Sequence, residues 1–157
     1  MDIAYIALGA NLPSHAGQPA QTLTAAVQAM AALGTVVACS TFHQTDPVGY
    51  RDQPVFTNAA VALATELAPE ALLRELLRLE LAFGRDRSAG IQNGPRTLDL
   101  DLLLHGSHIV HTAHLQLPHP RFAERLFVLE PLAEIAPALI PPGSSQTVAQ
   151  LLQALRP

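Results

Sequence analysis

The chain has no lysine, no tryptophan and one cysteine, and only 4% of its residues are aromatic. Each shortage removes a class of chemistry. Without lysine there is no Schiff-base amine and no lysine-bearing phosphate loop. One cysteine, Cys39, makes no internal disulfide and no thiolate metal cluster. No apolar run approaches the ~20 residues that a membrane-crossing helix needs. The N-terminus lacks the charged start and apolar stretch of a secretory leader. A soluble, cytoplasmic protein is therefore expected. The net charge of −4 and the pI near 5.9 argue against a nucleic-acid surface, which should be basic.

What remains is an apolar chain with its charge gathered locally. Hydrophobic residues make up 49% of 157, charged residues 14%, and mean hydropathy is +0.24. That length suits one domain, residues 1–157, with one core. All nine basic residues are arginine, and five of them (Arg85, Arg87, Arg96, Arg121 and Arg125) fall between positions 85 and 125. The same stretch holds Asp99 and Asp101.

Hydrophobic periodicity gives the coarse architecture. "IAYIAL" at 3–8 reads as a strand, and "AQTLTAAVQAMAALG" as a helix with Gly34 as its stop. "TVVACSTFHQT" reads as one further strand and "VFTNAAVALATEL" as a long one. "PEALLRELLRLELAFG" is the clearest helix, with Pro69 in its first turn, Gly84 just past its end, and Leu72, Leu73, Leu76 and Leu77 as its apolar face. "RTLDLDLLL" is the next strand. The order strand, helix, strand, strand, helix, strand predicts an α+β, ferredoxin-like βαββαβ fold, an antiparallel sheet with helices on one face. The remainder reads as an extended stretch broken by Pro118 and Pro120, then short helical turns, then a last helix in "SSQTVAQLLQAL".

Two aspartates inside an apolar strand raise the functional question. Residues i and i+2 of a strand share a face, so Asp99 and Asp101 project together, about 6–7 Å apart, while Leu98, Leu100, Leu102 and Leu104 point the other way. Such a pair is either a solvated acidic face or a seat for a hard divalent cation such as Mg²⁺. Flanking arginines suit the second reading, because carboxylates, Mg²⁺ and arginines are the usual parts of a phosphoryl-transfer site.

Other residues stand out. Glu80 falls on the apolar face of its helix near the C-terminus, where the helix dipole disfavours an anion, so it needs either an arginine partner or a role at a site. Phe56 and Asn58 share a strand face. They suit stacking and hydrogen bonding to a flat polar heterocycle, or else form a core phenylalanine beside an edge asparagine. His105, His108, His111 and His114 recur every third residue, but in an extended and turning segment they need not share a face. His119, held between two prolines and two residues before Arg121, suits a fixed donor to phosphate.

Five blocks in order, "AYIALGANL", "TDPVGYRDQPVFTNAAVAL", "LELAFGRDR", "GPRTLDLDLLL" and "LPHPRFAERLFVLEPLAEIAP", together resemble the 6-hydroxymethyl-7,8-dihydropterin pyrophosphokinase family of folate biosynthesis, over roughly residues 3–137. The resemblance implies transfer of diphosphate from ATP to the hydroxymethyl group of the dihydropterin with release of AMP. It implies two Mg²⁺ ions, ATP as co-substrate, small-molecule partners with no nucleic acid or membrane, and a monomer. By position, Asp99 and Asp101 match the metal-binding aspartates. Arg85, Arg87, Arg96 and Glu80 match catalytic-site positions. Arg87, Arg96, His119, Arg121 and Arg125 match the ATP site. Thr45, Asp46, Val48, Phe56, Asn58 and Phe127 match the pterin site, with Phe56 and Phe127 as the aromatic pair about the ring. The chain departs from the family pattern at Gln92 and Asn93, where a basic residue and a tryptophan are common, at Asp46, where some members have proline, and at Phe56, where some have tyrosine. The resemblance makes the stretch before "GPR" the family's closing lid, and its departures at Gln92 and Asn93 motivate an alternative, a catalytically weak member that binds pterin or nucleotide.

Overall fold

The computed structural model describes residues 1–47, 51–85 and 95–156. Val48 and Arg87, and the lid positions Gln92 and Asn93, lie outside the described residues. The chain runs β1 (Asp2–Ala10), α1 (Pro19–Ala29), β2 (Thr35–Cys39), β3 (His43–Thr45), β4 (Phe56–Thr65), α2 (Pro69–Ala82) and β5 (Asp99–His105). A short hairpin of β6 (Val110–His111) and β7 (Gln116–Leu117) follows, then α3 (Leu126–Ile135) and α4 (Val148–Leu155). The main sheet has the order β2-β4-β1-β5, with β3 also paired to β4 and every pairing antiparallel. With β3 set aside, β1-α1-β2-β4-α2-β5 is the expected βαββαβ order, and the fold is α+β and ferredoxin-like.

Expectation and structure part in several places, most with a local cause. The stretch "TVVACSTFHQT" forms two strands. Ser40 interrupts the ladder, because its hydroxyl accepts the Ala60 N–H at 2.9 Å while its own N–H donates to the Ala60 carbonyl at 2.9 Å. The two glycines that end helical segments work differently. Gly84 has φ +86°, and the Arg85 N–H then reaches back to the Glu80 carbonyl at 3.0 Å, a left-handed C-terminal closure. At Gly34 the need is close approach, since a Cβ there would lie 2.1 Å from the Ala64 carbonyl oxygen. Third, α2 buries Leu72, Leu76 and Glu80 but leaves Leu77 exposed, so its buried stripe is narrower than its leucine content.

The fourth difference is the largest. Helices cover both faces of the sheet. On one side α1 and α2 pack on Ala4, Ile6 and Leu8 of β1, Val61 and Leu63 of β4, and Leu100 and Leu102 of β5. On the other, α3 and α4 pack on Ala60, Leu103 and Leu104. The stretch that reads as short turns forms one continuous helix, α3. It tolerates Pro131, at the loss of one backbone hydrogen bond, because Val128, Leu129 and Leu132 are buried against the sheet. Leu104 also changes sides relative to expectation. Tyr5 pairs with Leu104 but Ile6 with Leu102, so Leu103 is an extra residue and the pleat inverts there.

Candidate active site

Strand register decides which side chains meet. Gly9 of β1 is opposite Asn58 on β4 and opposite Asp99 on β5, and Ala7 is opposite Ala60 and Asp101. Asp99, Asp101, Phe56 and Asn58 therefore all project from the α3 face of the sheet. Asp99 and Asn58 stand two strand spacings apart, about 9–10 Å, with Gly9 between them. A cleft of about 390 Å³ opens over this floor, walled by the 3₁₀ turn at Phe122–Glu124 and the start of α3.

Asp99 and Asp101 share the face, as their spacing predicts, but their surroundings differ. Asp99 is paired with Arg85 and, at 3.1 Å, with Arg96. Asp101 has no hydrogen bond or ion pair among the described residues. Burial pushes its carboxyl up to about 7, Asp99 pushes the same way, and Arg125 opposes both. A carboxylate pair with one member unpartnered and charged only at a penalty fits a hard divalent cation with oxygen preference, so the donor set present suits Mg²⁺.

Glu80 lies behind the floor, not in the cleft. It is 2% exposed, accepts the Leu100 N–H at 2.7 Å and the Arg85 guanidinium at 3.2 Å, and so caps the outer edge of β5, where no further strand pairs among the described residues. Arg85 also reaches the Leu98 carbonyl at 3.4 Å. Both residues set the position of Asp99 without lining the cleft. Glu80 thus has the arginine partner expected of it and a strand edge in addition.

The other wall is aromatic. Phe56 and Phe127 both line the cleft, and each ring face carries a guanidinium: Arg96 at 5.4 Å from the Phe56 centroid and Arg125 at 5.7 Å from that of Phe127. Asn58 is 6% exposed and its amide donates to the Thr45 hydroxyl at 2.5 Å. Thr45, Asp46, Arg121 and Arg125 complete this part of the rim. His119 is tied to β5 by its N–H, which donates to the Leu103 carbonyl at 2.8 Å. Its Nδ1 accepts the Arg121 N–H at 3.3 Å, which leaves the ring proton on Nε2. Burial and the Arg125 charge hold its pKa below the ordinary histidine value.

The fold thus brings together Thr45, Asp46, Phe56, Asn58, Arg96, Asp99, Asp101, Arg121, Arg125 and Phe127, with Glu80, Arg85 and His119 in the layer behind. Sequence reasoning missed two contributors. Gly9 supplies bare backbone in the floor, and a Cβ there would lie 2.9 Å from Asn58 Oδ1. Gly9→Ala should therefore displace the Asn58 amide and raise KM for the heterocyclic substrate by about tenfold, the equivalent of one hydrogen bond. The melting temperature should stay within a few degrees, and an unchanged KM would remove Asn58 from substrate recognition. Asn11, 3% exposed, ties three segments at the rim. Its Oδ1 accepts the Arg96 N–H at 2.9 Å, and its amide donates to Gln53 Oε1 at 2.9 Å and the Pro54 carbonyl at 3.0 Å. An asparagine just past a strand was the available signal.

An acidic pair facing a cationic rim, beside two aromatic rings on a ferredoxin-like sheet, defines a class: a small α+β enzyme that places phosphates next to a flat ring. Comparison with known proteins narrows it. The family model described as 7,8-dihydro-6-hydroxymethylpterin-pyrophosphokinase (HPPK) matches residues 5–137, and the chain belongs to this family. The 2-amino-4-hydroxy-6-hydroxymethyldihydropteridine pyrophosphokinase of Bacillus subtilis (strain 168) is 46% identical over 134 residues, 85% of this chain and 78% of the relative. That of Haemophilus influenzae is 42% identical over 155 residues, 98% of this chain and 92% of the relative. A crystal structure of Plasmodium falciparum HPPK-DHPS superposes with a TM-score of 0.78 at 14% identity, covering 98% of this chain. This chain spans 45% of that one, so the likeness is one of fold.

Proposed function

We propose that the cleft between the acidic pair and the aromatic wall carries out the reaction of the family. The chain is an ATP-dependent pyrophosphokinase of folate synthesis. It transfers diphosphate from ATP to the hydroxymethyl group of 6-hydroxymethyl-7,8-dihydropterin. The hydroxyl oxygen bonds to the β-phosphorus and gives up its proton to solvent, the bond from that phosphorus to the oxygen bridging it to the α-phosphate breaks, and AMP leaves with that oxygen. The observation that carries the site assignment is the register that sets Asp99 and Asn58 two strands apart on one face, with the cleft above them.

The residues divide the work. Phe56 and Phe127 hold the pterin ring between them, and Asn58, with Thr45, Asp46 and Val48 of the preceding segment, reads its polar edge. Arg96 and Arg125, each over one aromatic ring, bring positive charge to the same cleft as the rings and would bind phosphate oxygens there. Arg121 and the Nε2–H of His119 add donors on the nucleotide side, and Arg87, outside the described residues, is assigned to the same side by its match to the family pattern. Asp99 and Asp101 would hold two Mg²⁺ ions. Bound there, Mg²⁺ neutralises triphosphate charge and lines up the β-phosphorus with the hydroxyl. Glu80 and Arg85 keep Asp99 in position. The assignment treats residues 1–157 as one pyrophosphokinase domain acting as a cytoplasmic monomer; none of the helices among the described residues is long and apolar enough to cross a membrane.

The test is nucleotide turnover with Mg²⁺, with and without the dihydropterin. AMP appearing only when the pterin is present is the expected result. ADP would mean ordinary phosphoryl transfer. Binding of both ligands without turnover would favour the second reading, a weak binding member, which the altered lid positions Gln92 and Asn93 motivate.

A further inference from the structure

At the far end of β1 and β5 from the cleft, three ligand-type side chains converge. Asp2 begins β1, His105 ends β5, and His108 follows in the turn beyond it. One ligand atom from each lies within 4.8 Å of the other two. Asp99 and His105 are the two ends of β5, six residue steps or about 20 Å apart at strand rise, so this cluster is separate from the acidic pair. It accounts for two of the four histidines spaced every third residue; His111 and His114 are not part of it.

We propose that Asp2, His105 and His108 form a second metal site, for a borderline divalent transition ion such as Zn²⁺, on the grounds that the buried His105 Nδ1 lone pair has no hydrogen-bond partner and faces a carboxylate. His105 is 1% exposed, and its Nε2 meets the Leu67 carbonyl at 2.9 Å. A carbonyl only accepts, so Nε2 carries the proton and Nδ1 presents a lone pair. That Nδ1 is buried and makes no hydrogen bond among the described residues, and Asp2 Oδ2 lies 3.5 Å from it. In the neutral ring that lone pair, aimed at a carboxylate oxygen, is repulsive unless a cation lies between them; with a second ring proton the contact is instead an ion pair. The outer hydrogen bond from a ligating histidine to a backbone carbonyl is also the arrangement that fixes such ligands.

The spacings agree with one ion. Bonds of about 2.0–2.2 Å in a tetrahedral shell place neighbouring ligand atoms about 3.3–3.5 Å apart. His105 Nδ1 lies 3.5 Å from Asp2 Oδ2, within that range; His108 Nε2, hydrogen-bonded to the same oxygen at 3.0 Å, would have to move outward by a few tenths of an ångström to share an ion with it. Two imidazole nitrogens with one carboxylate select zinc-like ions over Mg²⁺, and a fourth position is left for water. Entry is open, since the Asp2 and His108 side chains are 42% and 47% exposed. The turn is pre-shaped for the site. Gly106, with φ +55°, lets it pass over Asp2, because a Cβ there would lie 2.7 Å from Asp2 Oδ1. The Gly106 N–H donates to the Ile3 carbonyl at 2.9 Å, and the His108 N–H to that of His105 at 3.0 Å. An ion held here would clip the start of β1 to the end of β5.

The test is calorimetric titration of Zn²⁺ into the untagged, chelator-stripped chain in excess Mg²⁺. The variants are His108→Ala, which changes an exposed side chain, and Asp101→Asn, which alters the cleft. One equivalent should bind to the wild type and to Asp101→Asn. The affinity of His108→Ala should fall on the order of 100-fold, at least the loss seen when an outer-shell partner is removed. Cobalt(II) should give the visible absorption of a four-coordinate site in the first two proteins and not in the third. Zn²⁺ binding unaffected by His108→Ala, binding lost in Asp101→Asn, or no binding at all would each overturn the proposal.

Discussion

Asp101→Ala should give a folded protein whose AMP release is slower by on the order of 10³-fold, about 4 kcal/mol of transition-state stabilisation. The side chain faces the cleft and supports nothing in the core, so folding has little to lose. Stability should in fact rise. Asp101 carries a buried charge that burial and Asp99 both oppose, with no direct partner among the described residues. Removing it relieves that penalty, and Asp101→Asn should unfold at the wild-type denaturant midpoint or above it at neutral pH without added Mg²⁺. Asp99→Ala should lose as much activity by a wider route, because it also releases Arg85 and Arg96. Turnover and a urea titration on the same preparations separate the effects. Near-normal rates in either alanine variant would mean that the metal is held elsewhere.

Glu80→Ala should be the most destabilising single change among the site residues, by about 3–5 kcal/mol, the cost of breaking a buried charge pair from one side. At 2% exposure Glu80 accepts the Leu100 N–H and pairs with Arg85. The variant leaves a backbone donor buried at the edge of β5 and takes from Arg85 one of its two carboxylate partners, Asp99 being the other. Glu80→Gln keeps an acceptor for Leu100 and loses the charge opposite Arg85, so it should fall between alanine and wild type. Urea midpoints order the three. A wild-type midpoint for Glu80→Ala would show that the edge of β5 does not depend on it. A loss of turnover at full stability would instead give Glu80 a direct part in the reaction.

Local signals placed most elements, and their failures share a cause. Alternation found β5, runs of β-forming residues found β1 and β4, and helix periodicity found α1, α2 and α4. The Ser40 break in "TVVACSTFHQT" was invisible because it depends on a hydroxyl replacing a carbonyl opposite Ala60. The side of Leu104 was misread because one extra residue, Leu103, inverts the pleat. The covering of the second sheet face by α3 and α4 was missed because residues 56–65 are buried on both sides and show no alternation.

Residue types and their spacing on single elements were enough to put Asp99 beside Asp101 and Phe56 beside Asn58, and to mark Glu80 as misplaced on its helix. These are relations within one strand or one turn of helix, which backbone geometry sets by itself. Relations between elements were decided only when the sheet closed. Register set Gly9 between Asp99 and Asn58, the return of α3 brought Phe127 to the same cleft as Phe56, and the meeting of two strand ends joined Asp2 to His105 and His108. Long-range pairing follows from packing summed over many residues, and no local spacing encodes it.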